Sequence, residues 1–317
     1  MMIGVDLGGT KIEAVLMNES GLVLRRERIQ TPRNDYKALL AACSDLIRPF
    51  KAMDPEATIG IGTPGTLSLK TGRMKNCNNT CLNGKALKED LIDVLGCEVR
   101  IANDADCFTL SEAMDGAGRG SESVFGVILG TGVGGGFCIN NAILRGPNSI
   151  AGEWGHVTLP VHSYNAFVGQ TIPDPESGER KCYCGAVDCV ETWLSGPGLS
   201  RSWFELTGEE ISAKELAERS RGGNELAGEV LEQYHVLLAM GLSIVINVFD
   251  PWVIVLGGGL SRISEIYRKV PDLLGGFVFS DDVRTRLVPA DHGDSSGVRG
   301  AAWLWSEKRW SLGTGPI

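Results

Sequence analysis

Nowhere in the 317 residues does a run of five or six basic side chains occur, and the formal net charge is −9. Binding a nucleic-acid backbone needs clustered Lys and Arg that displace counterions, so a nucleic-acid partner is excluded. An apolar run of membrane-spanning length is missing too. The most apolar long segment, Val236 to Phe249, falls about six residues short of a span and contains Ser243 and Asn247, which predicts a buried core helix and no membrane partner. The amino terminus lacks a basic leader and puts Asp6 where a signal peptide needs an apolar core, so a cytoplasmic location is expected. Nor is there an even, closely spaced set of cysteines. The nine cysteines, an odd number spread over the whole chain, predict reduced thiols, some of them on a metal. Cys43, Cys97, Cys107 and Cys138 stand in apolar surroundings and read as small core residues, whereas Cys77 and Cys81 are assigned no role.

What is present describes an α/β protein of about two domains. Hydrophobic residues make up 43%, charged residues 22%, and the 42 glycines imply many tight turns. Ile3 to Asp6, Lys11 to Met17 and Leu22 to Ile29 read as three strands of a meander. Asp35 to Phe50 carries apolar residues at the spacing of an amphipathic helix, Thr58 to Gly62 is a buried strand running into Thr63-Pro64-Gly65, and a helix spans Leu87 to Leu95 before Gly96. Strand Ser123 to Leu129, a glycine turn and strand Gly136 to Asn140 repeat the opening scheme, which suggests two related lobes. A loop-rich stretch from Glu153 to Glu191 follows, and it needs something to hold it. Helices at Gly196 to Leu206, Ser212 to Arg219 and Asn224 to Val248, a strand at Trp252 to Leu256, and helices at Ser261 to Leu274 and Gly297 to Trp305 complete the pattern.

Three stretches carry chemistry. In VRIANDADC an apolar run ends in Asn103 and Asp104 just before a helix, so Asp104 is either a reactive carboxylate at the carboxyl end of a strand or a helix cap. GVDLGGTK at Gly4 to Lys11 and GTGVGGG at Gly130 to Gly136 are glycine turns able to aim backbone N–H groups at an anion, with Asp6 near a phosphate-bound Mg²⁺; a plain glycine hairpin is the alternative for the first. The first turn lacks the spacing of a Walker A loop, and a strand rather than a helix follows the second, which rejects the dinucleotide fingerprint. Cys182, Cys184 and Cys189 with His156 supply four ligands for a closed structural Zn²⁺ site, a chance cluster of free cysteines being the alternative.

The order of DLGGTK, TPG, NDAD, GTGVGGG, GEWGH, CYCG with Cys189 and Glu191, and GGG at Gly257 to Gly259 resembles that of ROK-family sugar kinases from Met2 to about Trp305. NNTCLNG at Asn78 to Gly84 and HGDSSGVRGAAWLW at His292 to Trp305 resemble bacterial fructokinases of the manno(fructo)kinase type. The resemblance implies a two-lobed actin-like, hexokinase-like ATPase fold built on a duplicated ribonuclease H-like motif, with sugar and ATP in a cleft between the lobes. It implies a small N-terminal lobe of residues 1–107 completed by helix 297–305, a large lobe of residues 108–296 with a zinc-stapled loop at 153–191, and a tail at 306–317. Asp104 then matches the catalytic base. Asn78, Asn103, Glu153, His156 and Glu191 match sugar-binding residues, His156 also matching a zinc ligand. Asp6, Gly8, Gly9, Thr10, Lys11, Thr131 and Gly132 match the ATP phosphate loops, and Gly257, Gly258 and Gly259 the adenosine-side turn. The implied reaction is ATP-dependent phosphorylation of a hexose, with fructose first and mannose, glucose or N-acetylglucosamine as alternatives, by a homodimer using Mg²⁺ and structural Zn²⁺. A sugar-responsive regulator is the remote alternative, disfavoured because no DNA-binding segment precedes the first strand. Two residues depart from the family pattern. Asp106 replaces an asparagine, and would raise the pKa of Asp104 if both were buried. Asp188 replaces a glycine before Cys189 and is expected to disturb a turn without removing a ligand.

Overall fold

A computed structural model describes residues 1–32, 34–77, 79–161 and 179–306. The opening strand β1 (Met2–Leu7) is apolar except for Asp6 and buried nearly throughout. It pairs antiparallel with β2 (Lys11–Met17), and β2 with β3 (Val23–Gln30), whose alternation of half-buried and exposed residues marks a sheet edge. Helix α1 (Tyr36–Met53) is capped by Asp35, which accepts from Ala38 N at 3.0 Å, and it buries Leu39, Cys43, Leu46, Ile47 and Phe50. β4 (Thr58–Thr63) runs parallel to β1, the short strands β5 (Thr66–Leu67) and β6 (Met74–Lys75) pair antiparallel, and α2 (Leu87–Leu95) stops at Gly96 with φ 68°. β7 (Val99–Asn103) lies parallel to β4 and leads directly into α3 (Asp104–Met114). The sheet order is β3-β2-β1-β4-β7.

The scheme then recurs. β8 (Ser123–Leu129), β9 (Val133–Ile139) and β10 (Ala142–Ile143) are followed by α4 (Val190–Leu194), α5 (Gly196–Thr207), α6 (Ala213–Arg221) and the 25-residue α7 (Glu225–Phe249). β11 (Val253–Gly257), α8 (Ile266–Leu274), β12 (Arg286–Pro289) and α9 (Ser296–Trp303) close the described chain. The second sheet has the order β10-β9-β8-β11-β12, the same arrangement of a consecutive meander plus two later strands as the first. The duplicated α/β architecture expected from the sequence is therefore present as two five-stranded sheets among the described residues.

Three elements differ from their sequence reading. β9 begins at Val133, so Gly134 to Gly136 belong to the strand and not to the turn. A Cβ on Gly136 would lie 2.8 Å from Thr109 Oγ1 and 3.0 Å from Ala105 O, so the glycine admits α3 rather than bending the chain. The helix expected from Ser261 is a 3₁₀ turn at Gly259–Arg262, interrupted by extended Ile263 before α8 starts. β12, a four-residue strand ending in proline and parallel to β11, carries too short a pattern to be read from sequence. The apolar Val236 to Phe249 segment is the core of α7, with 78% of its most hydrophobic window buried. Asn78 and the expected tail from Glu307 lie outside the described residues.

Contacts divide the chain into two compact units. The first holds Met1–Gly126, Gly136–Ala151 and the segment from Ala290 onward; the second holds Val127–Gly135 and Gly152–Pro289. In the first, α9 packs on β1, β4 and α3 with almost no side chain between backbones. A Cβ on Gly60 would fall 1.8 Å from Ala301 O, and one on Gly300 1.6 Å from Cys107 O. Such contacts accept only glycine.

Candidate functional site

In the first unit the carboxyl ends of the parallel strands β1, β4 and β7 bring the predicted residues together. The ladders set Asp6 opposite Gly62 and Thr63 opposite Asn103, so three strands end on one edge of the sheet, where open α/β sheets bind ligands. The cap of α3 is Asn103, not Asp104. Asn103 Oδ1 accepts from Ala105 N at 2.8 Å, and its Nδ2 donates to Gly65 O at 3.1 Å, tying the TPG turn to the start of α3. Asp104 occupies the first helical position, exposed, with Oδ1 2.9 Å from the same Ala105 N–H. A carboxylate there is favoured by the positive end of the helix. Asp106 is half-buried and Asp104 is not, so mutual burial, the condition for Asp106 to raise its neighbour strongly, is not met.

Asp6 has the perturbed carboxyl of this edge. Burial first, then the charges of Asp104 and Glu13, push it up to about 6, with Lys11 and Arg28 opposing. Glu13 is itself buried and paired with Arg26 and Arg28. The turn beyond Asp6 closes through Gly8 N donating to Lys11 O at 3.0 Å, and Thr31 Oγ1 donates to Gly8 O at 2.7 Å. Gly9 and Thr10 stand exposed at its tip.

In the second unit, Glu153 precedes a 3₁₀ turn at Trp154–His156 that packs on β9, with Trp154 Nε1 donating to Gly134 O at 3.1 Å. Glu191 sits in the first turn of α4, and its Oε2 accepts from Val133 N at 2.9 Å. A Cβ on Gly132 would come 2.6 Å from that oxygen. Gly132, matched to a phosphate loop by the resemblance, thus makes room for Glu191.

The cluster expected from the cysteine spacing assembles. His156, Cys182, Cys184 and Cys189 place one ligand atom each within 4.8 Å of the others. His156 Nδ1 lies 3.5 Å from Cys182 Sγ, and Cys184 Sγ lies 3.6 Å from Cys189 Sγ. Ligands about 2.1 to 2.3 Å from one tetrahedral zinc stand roughly 3.5 to 3.8 Å apart, so both separations fit that ion. The other imidazole nitrogen, Nε2, faces away from the thiols, 2.9 Å from Tyr183 Oη. Burial, then Glu191, Cys182, Glu153 and Cys184, push the Tyr183 phenol up to about 12.

Asp188 corrects its expected effect. It adopts φ 52°, the left-handed conformation a glycine would supply, and its buried carboxylate holds the turn. Oδ1 accepts from Arg180 N at 3.0 Å and from Trp193 Nε1 at 3.2 Å. Arg180, fully buried and stacked 3.5 Å over the Trp193 ring, donates onward to Thr192 O, Gly198 O, Ser202 Oγ and Glu205 Oε2, linking the metal loop to α4 and α5. Sequence reasoning missed Arg180 because its partners come from three separate segments.

A cavity of about 610 Å³ in the second unit brings Gly130 and Thr131 of one predicted glycine loop together with Gly259 of another. Gly196 and Pro197, at the start of α5, also line it, with Gly196 N donating to Gly130 O at 2.8 Å. Lys214 and Arg221, both on α6, and Arg262, in the 3₁₀ turn, add positive charge to the wall, none of them flagged by a motif because the two elements meet only in the fold. Gly258 faces elsewhere: with φ 83°, a Cβ there would meet Leu129 O at 2.4 Å, so it serves the close passage of β11 beside β8. A cavity of this size and polarity suits a nucleotide.

The ROK family model matches residues 2–308. The chain is 40% identical to an N-acetyl-D-glucosamine kinase of Pectobacterium atrosepticum over 96% of this chain and 98% of that one, and 39% identical to one from Haemophilus influenzae over 97% and 100%. Among solved structures, a ROK hexokinase from Thermus thermophilus superposes with a TM-score of 0.81 at 27% identity, covering 96% of this chain and 97% of that one. A ROK glucokinase from Streptomyces griseus, crystallised with glucose and AMPPNP, reaches 0.72 at 26% identity over 96% and 98%. With its motifs, duplicated sheets and a family match over nearly its whole length, the chain belongs to the ROK family.

Proposed function

We propose that this chain transfers the γ-phosphoryl group of ATP to N-acetyl-D-glucosamine. The observation that carries the reading is the 40% identity to an N-acetyl-D-glucosamine kinase along nearly the full length of both chains. This replaces fructose, the first reading of the motifs, with one of its alternatives. Asp104 takes the proton of the attacking sugar hydroxyl as its oxygen bonds to the γ-phosphorus; the bond from that phosphorus to the bridging oxygen breaks and ADP departs. Glu153, His156 and Glu191 in the second unit recognise sugar hydroxyls, and the cavity lined by Thr131 and Gly259 takes the nucleotide.

Asp6 fits a Mg²⁺ site, since its carboxyl is buried and repelled by Asp104, a deficit of positive charge that a cation relieves. When bound, Mg²⁺ supplies charge neutralisation on the β- and γ-phosphates. The four-residue cluster fits Zn²⁺ by donor set and spacing, and a closed thiolate site of this kind folds the loop carrying Tyr183 and Glu191. A cytoplasmic setting and a homodimer belong to the same proposal, the latter read by light scattering.

A coupled ADP-release assay across N-acetylglucosamine, glucose, mannose and fructose tests the reading. The highest kcat/KM is expected for N-acetylglucosamine. Fructose at the top would overturn the sugar assignment, and turnover of none would overturn the kinase itself.

A further inference from the structure

Glu112, in the last turn of α3, is fully buried, and no residue of the site touches its carboxyl group. Among the described residues its two oxygens accept from four donors, none of them a lysine or an arginine. Oε2 accepts from Ala117 N and from Asp291 N, both at 3.0 Å, while Oε1 accepts from His292 N at 3.2 Å and from Ser296 Oγ at 2.7 Å. Burying a carboxyl group is costly unless its oxygens are hydrogen-bonded, and three of these four bonds come from a segment 179 to 184 positions further along the chain. Gly116 makes the room, since a Cβ there would lie 2.3 Å from Oε2.

The last of those donors, Ser296, is the first residue of α9. The next is Gly297, where a Cβ would stand 3.5 Å from Asp6 Oδ2 and 4.0 Å from Oδ1, so the first turn of α9 walls the Asp6 carboxyl at the distance of one methyl group. One residue on, Val298 O would lie 2.0 Å from a Cβ on Gly4, a backbone seat that fixes how close α9 comes to β1. The bonds to Glu112 fix where its first turn begins. Glu112 also belongs to the helix that opens with Asp104, and it thereby ties the element carrying the proposed base to the turn that faces Asp6.

We propose that Glu112 is a positioning residue for Asp6: by gathering Asp291 N, His292 N and Ser296 Oγ onto α3, it holds the first turn of α9 against the Asp6 carboxyl and so sets the affinity of that carboxyl for the divalent cation that accompanies ATP. The inference rests on the assignment of Asp6 to Mg²⁺ above. It gives a buried group that touches neither substrate nor cation a measurable part in cation binding.

Glu112→Gln and Ser296→Ala in the full chain test it, with Mn²⁺ as the probe. Mn²⁺ is titrated into protein saturated with ADP and the free ion is read by electron paramagnetic resonance, beside sugar KM and Tm; Asp6→Asn shows how much of the affinity belongs to Asp6. In Glu112→Gln an NH₂ group replaces one accepting oxygen, and the Mn²⁺ Kd is expected to rise about tenfold, the lower end of the effect of groups that orient a metal ligand. Ser296→Ala removes one donor of the four, and a rise of about threefold is expected. Sugar KM is expected to hold in both. A fall in Tm with the Mn²⁺ Kd unchanged marks Glu112 as a structural prop and overturns the proposal, and an equal rise in sugar KM, the sign of general loosening, overturns it too. If Glu112→Gln does not fold, Ser296→Ala decides. Wild type with the same Mn²⁺ affinity as Asp6→Asn removes Asp6 from the cation and this inference with it, whereas an Asp6-dependent affinity that neither variant alters removes only Glu112.

Discussion

Two carboxylates on one sheet edge stand in different surroundings. Asp104 is exposed in the first turn of α3, while the Asp6 carboxyl is pushed up by burial and by Asp104 itself. Asp104→Asn keeps the shape but cannot accept a proton; kcat is expected to fall about 10³-fold with sugar KM nearly unchanged, measured by the same ADP-release assay. Asp6 makes a prediction of the opposite kind for stability. Its folded pKa of about 6 lies above its unfolded value of 3.8, so the folded protein binds the extra proton, and stability contributed by that proton is lost as pH rises from about 4 to 6. Asp6→Asn removes the repulsion: at pH 7 without Mg²⁺, Tm is expected to rise by a few degrees, on the order of 2 kcal/mol, while turnover drops. Thermal melts of both proteins from pH 4 to 7 check the sign, which reverses if Asp6 is stabilising when ionised.

Helix α7 carries a buried base with no such relief. His235 is 1% exposed, both ring nitrogens lack a hydrogen-bond partner, and burial pulls its pKa down to about 4. The unfolded chain takes up this proton below about 6.5 and the folded chain does not, so stability falls as pH drops from 6.5 to 4, by about 3 kcal/mol at most for this group. His235→Leu, of similar size and without the titration, is expected to flatten Tm against pH in that window. An unaltered slope would place the acid sensitivity elsewhere. The metal loop is the other element with a measurable role. Chelation by a zinc-specific reagent is expected to release one ion per chain and to raise sugar KM, because Glu191 follows Cys189 by two residues and is held through the loop. Mass spectrometry under native conditions and the kinetic assay read the two effects together. Arg180 and Asp188 brace the same loop from behind, which explains how a non-glycine residue is tolerated at φ 52°.

For the molecule as a whole, the recurrence of one strand order in two sheets accounts for why glycine turns follow the first strand of each. In both, the first strand of a meander ends in a glycine turn, and two later strands extend the sheet on the other side of it. Helix periodicity in α1, the Gly96 stop of α2, the β8 bounds and the start of α3 were legible because each depends on residues within a few positions of one another. The His156, Cys182, Cys184 and Cys189 set was likewise legible from its residue types and spacing, and so was the position of Asp104 at the start of a helix after a buried strand. The division of labour among the glycines was not. Gly132 seats Glu191, Gly136 admits α3 and Gly258 passes Leu129, and only Gly259 of the last three-glycine turn faces the cavity. Local pattern encodes which residues are buried and where the chain turns, since those follow from side-chain period and backbone conformation. Which distant groups then meet, as Tyr183 meets His156 or Lys214 meets Thr131 across one cavity, depends on packing between segments far apart in the chain, and that only the tertiary structure decided.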